Sequence, residues 1–309
     1  MISDDYLKYP RRRYGMDHDR YEWSMLHTRA KVAWPGGARI ALWVTAALQW
    51  FPLDQQGKPF KPLGSLQTAY PDLRHYTLRD YGNRVGIYRI MQALDRHGIK
   101  ASVPVNAAVA ARYPSLVTEC AARGWEIVGH GLDMDHLHFE GMADEKALIS
   151  KSLGVLRKFS KVRGWLSPAK SESKATLDLL AAEGIDYVCD WVNDDMPYAM
   201  KAGAMKAGGK TLHSMPHSAD VDDATILIGM HHDEDELRDQ LIDHFDVLYA
   251  ESATQGGRIM PIPLHSWVTG QPYRIGTLET VLAHIMRHQG VWPATGAEIL
   301  DAWKAGGGA

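Results

Sequence analysis

The sequence predicts an α/β fold: one barrel of about seven strands, not fully closed, behind an amino-terminal arm. Three observations lead there. Short apolar runs of strand character alternate with segments of helical period along most of the 309 residues. No linker-like stretch or internal repeat divides the chain. Polar and ionisable residues gather where the apolar runs end, the edge at which parallel α/β sheets present their chemistry.

Taken in order, residues 1–38 are polar and aromatic with little periodicity. They read as an arm lying on the domain or on a neighbouring subunit, and 39–305 as the barrel. The run Arg11-Arg12-Arg13 fits either subunit contacts in a homo-oligomer or a solvated terminus. Arg39 to Ala47 is the first strand. The stretch 49–80, with Gly57, Pro59, Pro62, Gly64 and Pro71, is long for a loop and reads as an ordered lid. Val85, Tyr88, Ile90, Met91 and Leu94 recur with helical period up to Gly98. Strand–helix pairs follow: Ile99–Val105 with Ala107–Arg123, Trp125–Gly129 with Ala143–Ser160, and Gly164–Ser167 with Ser173–Glu183. Tyr187 to Trp191 is a strand, whereas Leu212–Pro216 and Thr225–Ile228 are strands or merely extended. A long helix at Asp235–Thr254 precedes the strand Gly257–Leu264; helix 276–288, a short strand at Val291-Trp292 and helix 296–303 complete the domain.

Composition narrows the function. At 45% hydrophobic and 23% charged residues the chain can build a full core. A net charge of -3 gives no reason to expect a nucleic-acid or anionic-membrane partner. Cys120 and Cys189 are too few for a disulfide framework and lack metal-type spacing, so both read as buried thiols. The amino terminus has no signal-peptide core and no stretch is long enough to span a bilayer. A soluble, cytoplasmic protein with a small-molecule substrate is the expectation.

The strand ends carry the chemistry. The densest is WEIVGHGLDMDHLH, residues 125–138, where an apolar strand stops at Gly129 and His130, Asp133, Asp135, His136 and His138 follow. His130 and His136 are six apart with Asp133 midway, a spacing that could hold a zinc-like ion with an open position. Such an ion would acidify bound water and polarise a carbonyl. Equally, one histidine catalyses and the others hydrogen-bond the loop. The first strand ends at Gln49-Trp50, the second at Asn106, and the fourth at Ser167-Pro168-Ala169-Lys170-Ser171. Lys170 would neutralise an oxyanion or be merely solvated. Asp194-Asp195 contains either a carboxylate of raised pKa, since close like charges resist joint ionisation, or a cap before Pro197. His265, alone after an apolar strand, would protonate a leaving group or sit satisfied in the core. His231 and His232, beside Asp233 and Glu234, mark a helix start rather than a site.

Several segments together resemble the polysaccharide deacetylase (NodB homology, carbohydrate esterase 4) superfamily, and within it the branch of metal-independent allantoinases and cyclic imidases. They are Arg39-Ile40-Ala41-Leu42, Asp80-Tyr81-Gly82-Asn83-Arg84-Val85-Gly86, Gly124 to Gly131, Gly164-Trp165-Leu166-Ser167-Pro168, Asp194-Asp195-Met196-Pro197-Tyr198, and Leu264-His265. The resemblance spans roughly Trp34 to Trp303 and implies a distorted (β/α) barrel that hydrolyses a C–N amide bond. It also exposes departures. Metal-dependent members carry an aspartate pair after strand one, but here the stretch is Ala47-Leu48-Gln49-Trp50. The family's His-x-x-x-His pair is broken, because Met134 stands four residues after His130.

The expected activity is hydrolysis of a small amide, a ureide, cyclic imide or N-acetylated compound; a catalytically silent ligand-binding member is the alternative. Catalysis falls to His130, Asp133, Asp194 and His265. Gln49, Trp50, Arg84, Lys170, Trp191, Asp195 and Tyr198 are the substrate-binding candidates. His130 and His136 are the candidate ligands of a divalent metal such as zinc. With no carboxylate after strand one, the base must be Asp133, His136 or Asp194.

Overall fold

β1 (Ile40–Ala47) is the hub of the sheet, and eight more strands follow it among the described residues. These are β2 (Ser102–Val105), β3 (Glu126–Gly129), β4 (Gly164–Trp165), β5 (Tyr187–Val188), β6 (Tyr198–Met200), β7 (Leu212–Ser214), β8 (Arg258–His265) and β9 (Val291–Pro293). The computed structural model describes residues 18–54, 71, 73–202 and 211–306. The strand order is β6-β7-β5-β4-β3-β2-β1-β8, with β9 on β1. Every pairing is parallel except β6 with β7. β6 and β8 lie at opposite ends of that order, so the sheet curls into an open half-barrel.

β8 pairs with β1 over its whole length, from Ile40↔Arg258 to Ala47↔His265. The other edge of β1 is shared. β9 takes Ile40 to Leu42, and β2 takes Thr45 onward, continued by a bridge from Leu48 to Val105.

The helices are α1 (Leu73–Tyr81), α2 (Ile87–Asp95), α3 (Ala107–Arg112), α4 (Pro114–Ala122), α5 (Glu145–Leu156), α6 (Thr176–Ala182), α7 (Glu234–Gln255), α8 (Ile275–Met286) and α9 (Gly296–Ala305). The two-residue side-chain period of a strand divides the core. Ile40, Leu42, Val44 and Ala46 of β1, and Leu48 just beyond it, face outward and join the helices in one apolar cluster with Leu241, Phe245 and Leu282. Ala41 and Trp43 face inward and join Val128, Tyr187, Ile299 and Trp303. α9 thus plugs the base of the half-barrel. Its amino terminus is closed by a Thr295–Glu298 capping box, and Ala297 N–H donates to the partly buried Glu126 carboxylate. The inner positions above that plug, Thr45, Ala47 and Gln49, line a cavity instead.

Four expectations are corrected. The helix expected at 107–123 breaks at Tyr113, whose φ of -127 and ψ of 60 are non-helical, because Pro114 disfavours the α region for its predecessor. Thr225–Ile228 is no strand but part of a π-helical turn, Ala224–Gly229. β6 was not anticipated at all. Helix begins at Leu73, earlier than 80; the lid read over 49–80 lies largely at 55–70 and 72, outside the described residues, as does Arg11-Arg12-Arg13.

Between α1 and α2 the chain widens into a π-turn, Gly82–Gly86, pressed on the turn that follows β8. A Cβ at Gly86 would sit 2.1 Å from Ser266 O, and one at Gly82 2.5 Å from Trp267 N, so only glycine permits this approach.

Candidate active site

At the carboxyl ends of β1, β3 and β8 the half-barrel holds a cavity of about 330 Å³. His130 and His265, which enter from opposite sides of β1, both line it. Gln49, Lys170, His217 and Asp222 complete its polar wall; Leu166, Pro263 and Trp267 contribute apolar surface.

His265 is fixed by two consecutive aspartates before the Ala224–Gly229 turn. Its backbone N–H donates to both oxygens of Asp223, at 3.0 and 2.9 Å, and its Nδ1–H donates to Asp223 Oδ1 at 2.7 Å. Thr269 Oγ1 donates to Asp223 Oδ2 at 2.6 Å, which saturates that fully buried carboxylate. Asp222 Oδ1 stands 3.8 Å from the same Nδ1 and accepts Thr225 N–H at 2.9 Å. Burial alone would lower the pKa of His265, but Asp222 and Asp223 together outweigh it and lift the ring to about 9. At neutral pH it is an imidazolium whose Nε2–H remains for the cavity. Burial pushes the Asp222 carboxyl upward, countered in part by His265.

His130 has the opposite character. Nδ1 donates to Leu166 O at 2.6 Å, so Nε2 carries the lone pair. Gln49 Nε2–H donates to it at 3.2 Å, while Gln49 Oε1 accepts Trp267 Nε1–H at 3.4 Å. These two neighbours assign the amide orientation, because a flipped amide would set donor against donor and acceptor against acceptor. Asn83 Nδ2 donates to Gln49 O at 2.9 Å, tying the π-turn to the end of β1. Burial above all, helped by the nearby His265 charge, lowers the pKa of His130 to about 4, so its ring is neutral.

Lys170 reaches the cavity from a strained turn. Ala169 and Lys170, both non-glycine, have φ of 54 and 53, in the left-handed region that costs such residues energy. Asp190 anchors the turn by accepting Ser167 N–H at 2.7 Å and Ser167 Oγ–H at 2.8 Å. Lys170 Nζ donates to His217 O at 2.6 Å and to His217 Nδ1 at 3.2 Å. His217 Nε2–H therefore donates to Thr45 Oγ1 at 3.0 Å. Burial pulls the pKa of Lys170 down and, with the Lys170 charge, that of His217 well down. Behind the turn, burial and the proximity of Asp190 lift Glu172 to about 9, and burial lifts Asp190 to about 6.

Of the candidates, His130, Gln49, Lys170 and His265 meet in this cavity. The others are placed elsewhere. Asp133 Oδ1 accepts the N–H groups of Asp135 and His136 and the His136 ring at 2.7 Å, so it organises its own loop; the His136 side chain is 43% exposed. His138 is buried 3.1 Å from Glu145. Asp194 pairs with Arg29 at 2.7 Å, and with Asp195 it lines an adjoining cavity of about 510 Å³ that shares only His217 with the first. Trp191 and Tyr198 pack against Tyr21 of the arm, with ring centroids 5.8 and 5.0 Å away. Trp50 stacks among Tyr76, Tyr113 and Arg112. Arg84 is 74% exposed on the helix surface, and it is Asn83 that reaches the site. Sequence reasoning missed His217, Asp222 and Asp223. The one available signal was two adjacent aspartates, the like-charge pairing that drew attention to Asp194-Asp195.

Among the described residues, two groups of three side chains bring ligand-type atoms within 4.8 Å of one another, Asp222–Asp223–His265 and Asp246–His284–His288. The cavity does not fit a resident metal. The lone pair of His130 is taken by an amide N–H, His136 turns to Asp133, and the Asp223 oxygens are occupied by N–H and O–H donors. Lys170 adds an ammonium to the same wall.

A polysaccharide deacetylase family model matches residues 76–188. A Schizosaccharomyces pombe (strain 972) protein named for polysaccharide deacetylase is 29% identical over 245 residues, covering 73% of this chain and 75% of that protein. Among solved structures, PuuE allantoinase superposes with a TM-score of 0.81 at 25% identity, covering 98% of this chain and 99% of its own. A Pseudomonas aeruginosa PAO1 protein carrying the deacetylase name superposes with a TM-score of 0.80, also at 25% identity, covering 97% and 100%. No helix among the described residues is long and apolar enough to cross a membrane.

Proposed function

We propose that this chain, which belongs to the polysaccharide deacetylase superfamily, hydrolyses a C–N amide bond in a small ureide, cyclic imide or N-acetylated compound. The observation that supports this best is the cavity itself, where a histidine cation held by two aspartates faces a neutral histidine. In this reading the substrate carbonyl lies toward Lys170. Two hydrogens of that ammonium are used by His217, and the third stabilises the developing oxyanion. Asp222 takes a proton from water as the new C–O bond forms; a carboxyl lifted by burial suits a base working near neutrality. As the C–N bond breaks, His265 Nε2–H protonates the departing nitrogen. Asp222 then releases its proton to solvent and solvent returns one to His265 Nε2, which closes the cycle. His130 and Gln49, hydrogen-bonded to each other, form the wall against which the substrate lies.

A solved structure of similar fold is an allantoinase, which supports testing cyclic ureides first. Purified protein should be offered allantoin, hydantoin, succinimide and N-acetylglucosamine, with product followed by mass spectrometry. Turnover of at least one, lost in His265→Ala, is expected. A second reading rests on Gln49, which stands where metal-dependent members carry a carboxylate: a silent protein that binds the ligand and leaves it intact. Tight binding without turnover of any compound would favour it over the hydrolase.

A further inference from the structure

On the outer helices, away from the cavity, Asp246 of α7 faces His284 near the end of α8 and His288 just beyond it. One oxygen and two ring nitrogens lie within 4.8 Å of one another. Two imidazoles and a carboxylate form a zinc-type donor set; tetrahedral zinc, with bonds of about 2.1 Å, spaces its ligands roughly 3.3 Å apart. Small movements of the exposed Asp246 and the two half-buried histidines would bring these three to that spacing.

The hydrogen bonding prepares the group for an ion. His288 Nδ1–H donates to His284 O at 2.9 Å, which leaves the lone pair on Nε2, the outer-shell arrangement typical of ligating histidines. That Nε2 has no hydrogen-bond partner among the described residues. His284 Nε2 is already 2.8 Å from Asp246 Oδ1. The two imidazoles stand 5.0 Å apart, and Phe245 packs against both, with centroids 5.8 Å from His284 and 5.0 Å from His288. One neighbour opposes a cation: Arg287 donates to His284 Nδ1 at 2.9 Å.

We propose that Asp246, His284 and His288 bind a zinc ion that clips α7 to α8, with water in the fourth position. On binding, the His284 proton leaves Nε2 and Nδ1 takes one from solvent, releasing Arg287. The full-length protein, stripped of metal and titrated with zinc chloride by calorimetry, with magnesium as control, tests this. Wild type should bind one zinc here and no magnesium, and zinc should raise its melting temperature. His288→Ala and Asp246→Ala should each weaken zinc binding at least tenfold and abolish the thermal shift, whereas Arg287→Ala should tighten binding. His265→Ala separates this site from the cavity and should leave the zinc titration unchanged. Zinc binding that persists in both His288→Ala and Asp246→Ala, or that disappears in His265→Ala, would overturn the assignment, as would no zinc binding by wild type.

Discussion

Gln49 places its side-chain N–H on Nε2 of His130 at 3.2 Å, so the most conspicuous histidine of the sequence is a neutral, capped ring rather than an exposed ligand. That contact divides the labour in the cavity. His265 carries the charge, and His130 supplies a fixed dipole opposite it.

Asp223→Asn removes one of the two carboxylates that hold His265 charged. The pKa of His265 should fall from about 9 toward its ordinary value, and turnover at pH 8 should drop on the order of 10²-fold. A pH–rate profile checks this directly. Wild type should lose activity as pH rises through about 9, and the alkaline limb of the variant should begin at lower pH.

The same ring links stability to pH. Its folded pKa of about 9 lies above the 6.5 of free imidazole, so its stabilising contribution is complete below about pH 6.5 and fades as pH rises through 9. Urea midpoints for wild type and His265→Asn should therefore differ more at pH 6.5 than at pH 9.5. A constant difference would place the ring's stabilising role in packing alone.

Lys170→Met keeps an unbranched side chain of nearly the same length but removes the ammonium. Turnover should fall about 10²- to 10³-fold with little change in KM, since the charge acts on the oxyanion rather than on the bound ground state. Steady-state kinetics on whichever compound the screen identifies will show whether kcat or KM moves.

Prolonged dialysis against EDTA should leave turnover within about twofold of the untreated enzyme, because the cavity nitrogens and carboxylates are committed to one another. Zinc added back should not raise it. A large loss that zinc reverses would show that the Asp223 network gives way to an ion.

Gly86→Ala would force a methyl to within 2.1 Å of Ser266 O. A destabilisation of about 1–3 kcal/mol is expected by denaturant titration. Activity should fall by more than the unfolded fraction explains, because Ser266 directly follows His265 in the chain.

Much of this molecule can be read before any coordinates exist. The outward row Ile40, Leu42, Val44 and Ala46 and the stops at Gly98, Gly124 and Gly184 mark out strands and helices by periodicity and turn chemistry alone. Four strand-end residues, Gln49, His130, Lys170 and His265, were legible because the topology of alternating folds says where to look. What escaped is non-local. Nothing near Trp191 or Tyr198 announces that Tyr21, over 160 residues upstream, packs on them. Asp222 and Asp223 lie in a stretch whose short β-branched run mimics a strand, although its backbone is π-helical. Asp133 and Asp194 looked catalytic by type, and their hydrogen-bond partners give them structural duties instead.

β1 shares one edge between β2 and β9, segments from early in the chain and from its far end. A ribosome emitting this polypeptide would have released β2 long before β9, leaving the lower half of the central strand with bare amides on that side. Such an unsatisfied ribbon invites foreign strands. Newly made copies should therefore be most prone to clump until β9 emerges, and deleting β9 should cost solubility before it costs chemistry.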